Sequence, residues 1–188
     1  PDAGLELDMR VTARRDSLRH GRAEATLRGV WFHAASAILE QTRGLDRQNA
    51  LGHLLSGSLY KMRLTRAELE HAAADHVVIS YHVDLRDFAV TSPTSVYLPR
   101  VPFAGVDGNV LKRENDDLPV HLDTRQARRL VIDLAAPGCT AAADTTHLAG
   151  AGGRFTASLT PHPEGGVTLE YNLHRQSKLL MGEDKAAY

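Results

Sequence analysis

The stretch His76-Val77-Val78-Ile79-Ser80-Tyr81-His82-Val83-Asp84-Leu85 gives the strongest indication of the fold. Its apolar residues are mostly β-branched or aromatic, and they partly alternate with polar residues. This composition and spacing are typical of a β-strand that packs one face against a core. We therefore expect the chain on either side of this strand to be built mainly of further strands.

Several other segments show alternation and are predicted to be strands. The first runs from Leu5 to Val11, where strict alternation places the apolar side chains on one face. After a polar turn at residues 14–21, alternation resumes at residues 23–27, which predicts a hairpin. The remaining predicted strands cover residues 61–69, 94–98, 118–122, 129–134, 154–160 and 166–174. The last two flank a turn at residues 161–165, which ends in a glycine suited to a positive φ.

Two short helices interrupt the predicted strands. From Val30 to Gln41 the apolar residues recur at the i, i+3, i+4 spacing of an amphipathic helix. Gly44 is expected to break this helix, and a second helix is predicted at residues 46–55 with Gly57 as its stop. The two helices form the only strong helical block before the C-terminus.

Together these elements predict a mainly β fold with a small helical pair, antiparallel and β-sandwich-like. A length of 188 residues is in the range of one domain with its own core. Residues 104–117 are predicted to be a loop, and residues 141–153 are the nearest thing to a linker. Because the sequence begins at Pro1 without an initiator Met, we expect a single β-rich domain, residues 1–188, that is a fragment of a larger chain.

The overall composition excludes several classes of protein. Hydrophobic residues make up 43% and charged residues 24%, which is ordinary for a soluble globular chain. The net charge is -1, from 22 basic and 23 acidic residues, so nucleic acid is not an expected partner. No run of apolar residues is long enough to predict a membrane-spanning helix.

A local basic run lies near the N-terminus, at Arg14-Arg15, Arg19, His20 and Arg22. Acidic residues interrupt it, among them Asp16. A basic patch is one interpretation, but mixed charge of this kind is more typical of a solvated surface.

The sequence contains no complete arrangement of residues for nucleophilic catalysis. Cys139 is the only cysteine, which excludes an intrachain disulfide, and it follows Pro-Gly in what is predicted to be a turn. A catalytic thiol needs an adjacent base, so we predict a small, buried or half-buried cysteine instead. No serine lies in a Gly-x-Ser-x-Gly elbow, and no glycine-rich segment is followed by Lys-Ser or Lys-Thr. We predict no catalytic residue and no cofactor.

The densest group of metal-ligand side chains is His71 with Asp75 and His76. No pair of histidines follows the His-x-x-x-His spacing of a helical zinc site. A metal site is one hypothesis for this group. Solvated residues of a turn between strands are the interpretation that we favour, so we predict no metal.

Aromatic side chains offer an alternative function. A β-sandwich face can bind carbohydrate or cell-wall material by stacking sugar rings on aromatic groups. The candidates for such ligand contacts are Trp31, Tyr81, Tyr97 and Tyr171. Exposure of these rings would support this function, whereas burial in one core would argue against it.

The order of several short motifs resembles the C-terminal domain of unknown function of bacterial multidomain transglutaminase-like proteins. The matching stretches are Gly29 through Arg43 and Leu55, Val78 to Val83, Val96-Tyr97-Leu98-Pro99, and Arg113 through Leu118-Pro119-Val120. Leu134-Ala135-Ala136-Pro137-Gly138 looks like the same family's strand ending in a Leu-Pro-Gly turn, with the proline displaced. The likeness covers most of the chain, although each motif is short.

This resemblance implies a non-catalytic accessory or interaction domain with a β-sandwich-like fold. It also implies a periplasmic or extracytoplasmic location, and an adjacent catalytic domain of the same chain or a protein partner as the binding partner. The catalytic Cys, His and Asp of such proteins lie in a different domain. No catalytic or ligand-binding residue of the family is therefore expected in residues 1–188.

Overall fold

The structure is a computed structural model and describes residues 6–59, 61–92, 95–99, 102–103, 120–122, 126–150, 153–175 and 178–180. Its helices are α1 (Gly29–Gln41) and α2 (Gly44–Ser56). Its strands are β1 (Leu7–Arg14), β2 (Gly21–Arg28), β3 (Arg63–Ala72), β4 (His76–Asp84), β5 (Val90–Thr91), β6 (Val96–Tyr97), β7 (Val120–Leu122), β8 (Gln126–Ala135), β9 (Asp144–Gly150), β10 (Gly153–Pro161), β11 (Gly166–Arg175) and β12 (Lys178–Leu180). A short 3-10 segment, Arg15–His20, joins β1 to β2.

Eight of these strands form one sheet in the order β3-β4-β2-β1-β8-β11-β10-β9. The expected mainly β class with a small helical pair is confirmed. All neighbours in the sheet are antiparallel except β1 and β8, which run parallel, with Leu7 opposite Arg128 and Arg14 opposite Ala135. The sheet is therefore mixed and not antiparallel throughout, and its eight strands form one continuous ladder.

One face of this sheet carries the core. Because side chains alternate between the two faces of a strand, each central strand buries every second residue. The fully buried residues include Leu7, Met9, Leu27, Ile79, Leu130, Ile132 and Leu134. The helical pair packs on this face against β2, β3 and β4, where α2 buries Leu51 and Leu55. The predicted alternation at residues 5–11 is thus confirmed from Leu7 onward, since Leu5 lies outside the described residues.

Arginine side chains satisfy the carbonyl groups at the end of α1. The Thr42 amide and hydroxyl both donate to the Ile38 carbonyl, at 3.0 Å and 2.6 Å. Arg43 and Arg47 each donate to the Leu39 carbonyl, at 2.8 Å and 2.7 Å. These bonds end the helix at Gln41. Gly44, which we expected to break the first helix, is instead the first residue of the second.

The sequence interpretation is wrong for the segment that resembled a linker. Within residues 141–153, Asp144–Gly150 form β9, which pairs with β10 over seven consecutive residues at one edge of the sheet. The segment has no clear alternation of apolar residues, so its strand character depends on the hydrogen bonds that β10 offers. The predicted loop at residues 104–117 lies outside the described residues. None of the described helices is long and apolar enough to cross a membrane.

Candidate functional site

The structure separates the four aromatic residues considered as ligand contacts. Tyr81 and Tyr171 are 2% and 1% exposed and belong to the core, so neither presents a ring face to a ligand. The Tyr81 hydroxyl donates to the Leu51 carbonyl of α2, and the Tyr171 hydroxyl donates to the Pro99 carbonyl at 2.9 Å. Trp31 is half-buried, and only Tyr97 is largely exposed. The four rings therefore do not form a common stacking surface.

Burial raises the pKa of both Tyr81 and Tyr171 above the ordinary value of 10.0. The folded state thus holds these protons more tightly than the unfolded state, and stability should be fully present below pH about 10 and fall as pH rises further. We expect the thermal unfolding midpoint to drop as pH rises above about 10, with tyrosinate absorbance from these residues appearing together with unfolding. Ionisation of both rings in a folded protein near pH 10 would contradict this expectation.

A charged cluster lies on the core face where α1 begins. Arg128 is 7% exposed and occupies a core-facing position of β8, in phase with Leu130. Its guanidinium carbon lies 5.3 Å from the centre of the Trp31 ring, which is a cation–π geometry. Burial lowers the pKa of Arg128, and the charge of Arg175 lowers it further, while Glu6 opposes both.

Glu6 links this cluster to the helix. Its carboxylate lies beside Gly29, the first residue of α1, where a negative charge is favourable because the first helical amides lack partners. The first turn of α1 has no acidic residue of its own. The backbone of Glu6 also bridges two strands, since its amide donates to Ala127 and its carbonyl accepts from Arg28, both at 2.8 Å. The cluster therefore positions α1 on the sheet.

Cys139 is half-buried, as predicted, and its closest polar partner is a guanidinium. Arg15 donates to the Cys139 sulfur at 3.1 Å and to the Ser92 carbonyl at 2.8 Å. An adjacent cavity of about 370 Å³ lies between the β6 region and the ends of β8 and β11. An arginine cannot accept the thiol proton, so this pair does not form the nucleophile and base that thiol catalysis requires.

The arrangement closest to a catalytic triad lies on the opposite face of the sheet. The Thr168 hydroxyl donates to Asp133 at 2.6 Å, and the His162 Nε2 lies 2.7 Å from the same hydroxyl. Arg10 donates to the second oxygen of Asp133 at 2.9 Å. Burial raises the pKa of Asp133, but the bonds from Thr168 and Arg10 outweigh that effect and leave the pKa lowered.

The direction of these hydrogen bonds excludes a triad mechanism. Because the Thr168 proton points at Asp133, His162 must donate its Nε2 proton to Thr168 rather than accept one. In a triad the histidine instead takes the proton of the nucleophile. The network joins the β10–β11 turn to β8, which is a structural role.

His71 and His76 lie on the β3–β4 hairpin with their ring centres 5.7 Å apart. The Nδ1 of His76 is 2.8 Å from Asp75, and this contact lowers the pKa of that exposed carboxyl. Across the part of the chain that the structure describes, no three His, Cys, Asp or Glu side chains are grouped so that they could hold a metal ion.

Comparison with known proteins gives no relative: no family model, curated protein or solved structure matches the chain.

The sequence interpretation singled out Trp31 but missed its partner Arg128. The sequence does contain a signal for it: Arg128 is in phase with the alternating apolar residues of β8, which places its side chain on the buried face. Nothing in the linear sequence pointed to Glu6.

Proposed function

We propose that the chain is a non-catalytic accessory domain of a larger bacterial transglutaminase-like protein, and that it contacts a neighbouring domain through β9, the last strand of the sheet among the described residues. The surroundings of the candidate nucleophiles support the non-catalytic part of this proposal. In the described residues, Cys139 faces Arg15 and the Thr168 hydroxyl donates to Asp133, so neither is activated by a base. The motif order at residues 29–55 and 78–83 supports the family context.

The proposal that β9 contacts another domain is supported by the difference between the two edge strands of the sheet, β3 and β9. At one edge β3 is irregular: its register shifts twice against β4, and Arg66 has a positive φ of 49°. β3 also carries charged side chains at Arg63, Glu68 and Glu70. Bulges and charges of this kind protect an edge from pairing with another strand.

The opposite edge is more regular, and its only charged side chain is Asp144 at the start of β9. β9 pairs with β10 without a register shift, and it contains no lysine, arginine or proline. Leu148 lies opposite Phe155 and is 57% exposed, so the apolar face of the sheet continues to this edge. A regular edge strand with an exposed apolar residue is suited to β-strand addition by an extended segment.

The occupant that fits this edge is an extended segment of the neighbouring domain. Its backbone would continue the ladder, and one apolar side chain would cover Leu148. On the same face of β9, Thr146 lies opposite Ala157, which is half-buried. The segment should therefore alternate, with its apolar residues toward the core face of the sheet.

Hydrogen exchange in the parent protein tests this proposal. The backbone amides of β9 should exchange more slowly in the parent protein than in isolated residues 1–188, because edge amides gain partners. Leu148→Lys should remove most of that difference, whereas Leu69→Lys should not, since Leu69 is 43% exposed on the opposite edge strand. Equal exchange of β9 in both proteins would exclude β9 as the contact.

Activity measurements on the same proteins test the non-catalytic assignment. Isolated residues 1–188 should neither hydrolyse nor cross-link a peptide substrate. Cys139→Ser should leave the hydrolysis and cross-linking rates of the parent protein unchanged. Turnover by the isolated chain that Cys139→Ser abolishes would disprove the assignment. The flanking coding sequence should also encode a Gly-x-Cys segment followed by separated His and Asp.

A further inference from the structure

A basic cavity opens on the face of the sheet opposite the core, where β1 turns into β2. We call it the Arg22 pocket; its volume is about 420 Å³, and its polar lining includes Thr12, Arg14, Ser17, His20, Arg22 and Asp133. Strand register explains how these residues meet. Thr12 pairs with Arg22 on one side and with Asp133 on the other, so three adjacent strands each contribute a side chain at the same level.

The carboxylate that lines this pocket, Asp133, and the nearby carboxylate of Asp16 are already engaged. Asp133 uses one oxygen for Thr168 and the other for Arg10. Asp16 holds Arg14 through two parallel hydrogen bonds, at 3.1 Å and 2.9 Å. These pairs neutralise Arg10 and Arg14, but they leave no carboxylate for the remaining cation.

That cation is Arg22, whose exposed side chain makes no hydrogen bond or ion pair with any residue that the structure describes. Glu24 is the next residue of β2 on this face, and it lies beyond ion-pair distance of Arg22. His20 also lines the cavity without a described partner. Ser17 adds a hydroxyl group from a non-helical kink in the 3-10 segment, at φ -143° and ψ 46°. Every uncommitted polar group here can donate a hydrogen bond.

We propose that the Arg22 pocket binds a small oxyanion, either a carboxylate or a phosphate group. The planar guanidinium of Arg22 supplies two parallel N–H donors that match two oxygens of such a group. Ser17 and His20 supply further donors beside it. The acidic residues that would compete for Arg22 are held by Arg10 and Arg14. This site is independent of the accessory role proposed above, because it uses neither β9 nor Cys139.

An NMR titration tests the site, with inorganic phosphate and acetate as separate probes at constant ionic strength. Saturable shifts are expected for the backbone amides of residues 12–22 with at least one probe. Arg22→Gln should raise the dissociation constant about tenfold, as expected for the loss of a charge-assisted bond. Arg22→Lys should weaken binding less than Arg22→Gln, because lysine keeps the positive charge. It should still weaken binding, because lysine lacks the two parallel donors of the guanidinium.

Arg63→Gln is the matched control, since it removes the same charge from an exposed position on β3. This variant should bind like the unmodified chain, and unchanged thermal unfolding of all variants should show that they remain folded. The stronger of the two probes identifies whether the source is a phosphate or a carboxylate. Shifts that persist in Arg22→Gln, or the absence of saturable shifts with both probes, would overturn the proposal.

Discussion

Replacing Tyr171 by alanine is expected to lower the free energy of unfolding by about 3–5 kcal/mol, the usual cost of removing a large ring from a core. The ring is 1% exposed and lies opposite Leu130 of β8. It also stacks on Phe155, with 6.4 Å between the ring centres. Urea denaturation followed by circular dichroism measures this change.

Two further variants separate packing from hydrogen bonding and from surface effects. Tyr171→Phe removes only the hydroxyl that donates to the Pro99 carbonyl, so it should cost about 1 kcal/mol. Tyr97→Ala changes a ring that is 64% exposed, and its effect should stay within about 0.5 kcal/mol. If Tyr171→Ala denatured at the urea concentration of the unmodified chain, the placement of this ring in the core would be wrong.

Gly166→Ala is expected to cost more than about 3 kcal/mol, because it combines a strained backbone with a collision. Gly166 begins β11 at φ 123°, a conformation that residues with a side chain rarely adopt. An added Cβ would meet the backbone of β8 at the Leu134 carbonyl, and would lie 3.0 Å from the Ala136 nitrogen. The paired strand backbone has little room to move aside.

Gly138→Ala provides the matched comparison. Gly138 has a φ of 79°, but nothing lies within 4 Å of an added Cβ. Its cost should be only the left-handed strain of about 1–2 kcal/mol. Equal losses for the two variants would mean that the close approach of β11 to β8 does not contribute.

The strands that the sequence predicts are those whose side chains alternate. Alternation in β1, β2, β4, β10 and β11 follows directly from burial of one face, and the glycine turn before β11 is confirmed. The helical pair was also predictable, because its apolar residues recur with helical spacing. Local patterns of this kind report which face of an element is buried.

Features that depend on distant pairing could not be read from local patterns. β9 is a strand because β10 offers it seven pairing positions, although its own residues do not alternate clearly. The parallel pairing of β1 with β8 leaves no mark in either strand. The burial of Tyr81 and Tyr171 likewise depends on α2 and on the Pro99 segment, which lie far away in the sequence.

The same limit applies to the candidate sites. The basic run at Arg14 to Arg22 is visible in the sequence, but a pocket forms only when β8 brings Asp133 beside Thr12. Asp16, which interrupts the run, is engaged by Arg14, and Asp133 is engaged by Arg10 and Thr168, which a linear count of charges cannot show. Side-chain pairing across strands therefore decides which charges remain available.

The single parallel pair also has a consequence for how the sheet can assemble. On one side of it lie β3, β4, β2 and β1, and on the other lie β8, β11, β10 and β9, so each half comes from one continuous part of the chain. One side-chain contact across this seam, Arg10 with Asp133, joins residues 123 positions apart. Loop-closure entropy grows with the separation of the joined residues, so the seam carries the greatest entropic cost in the sheet. Each half can form from nearby hairpins before the two halves meet.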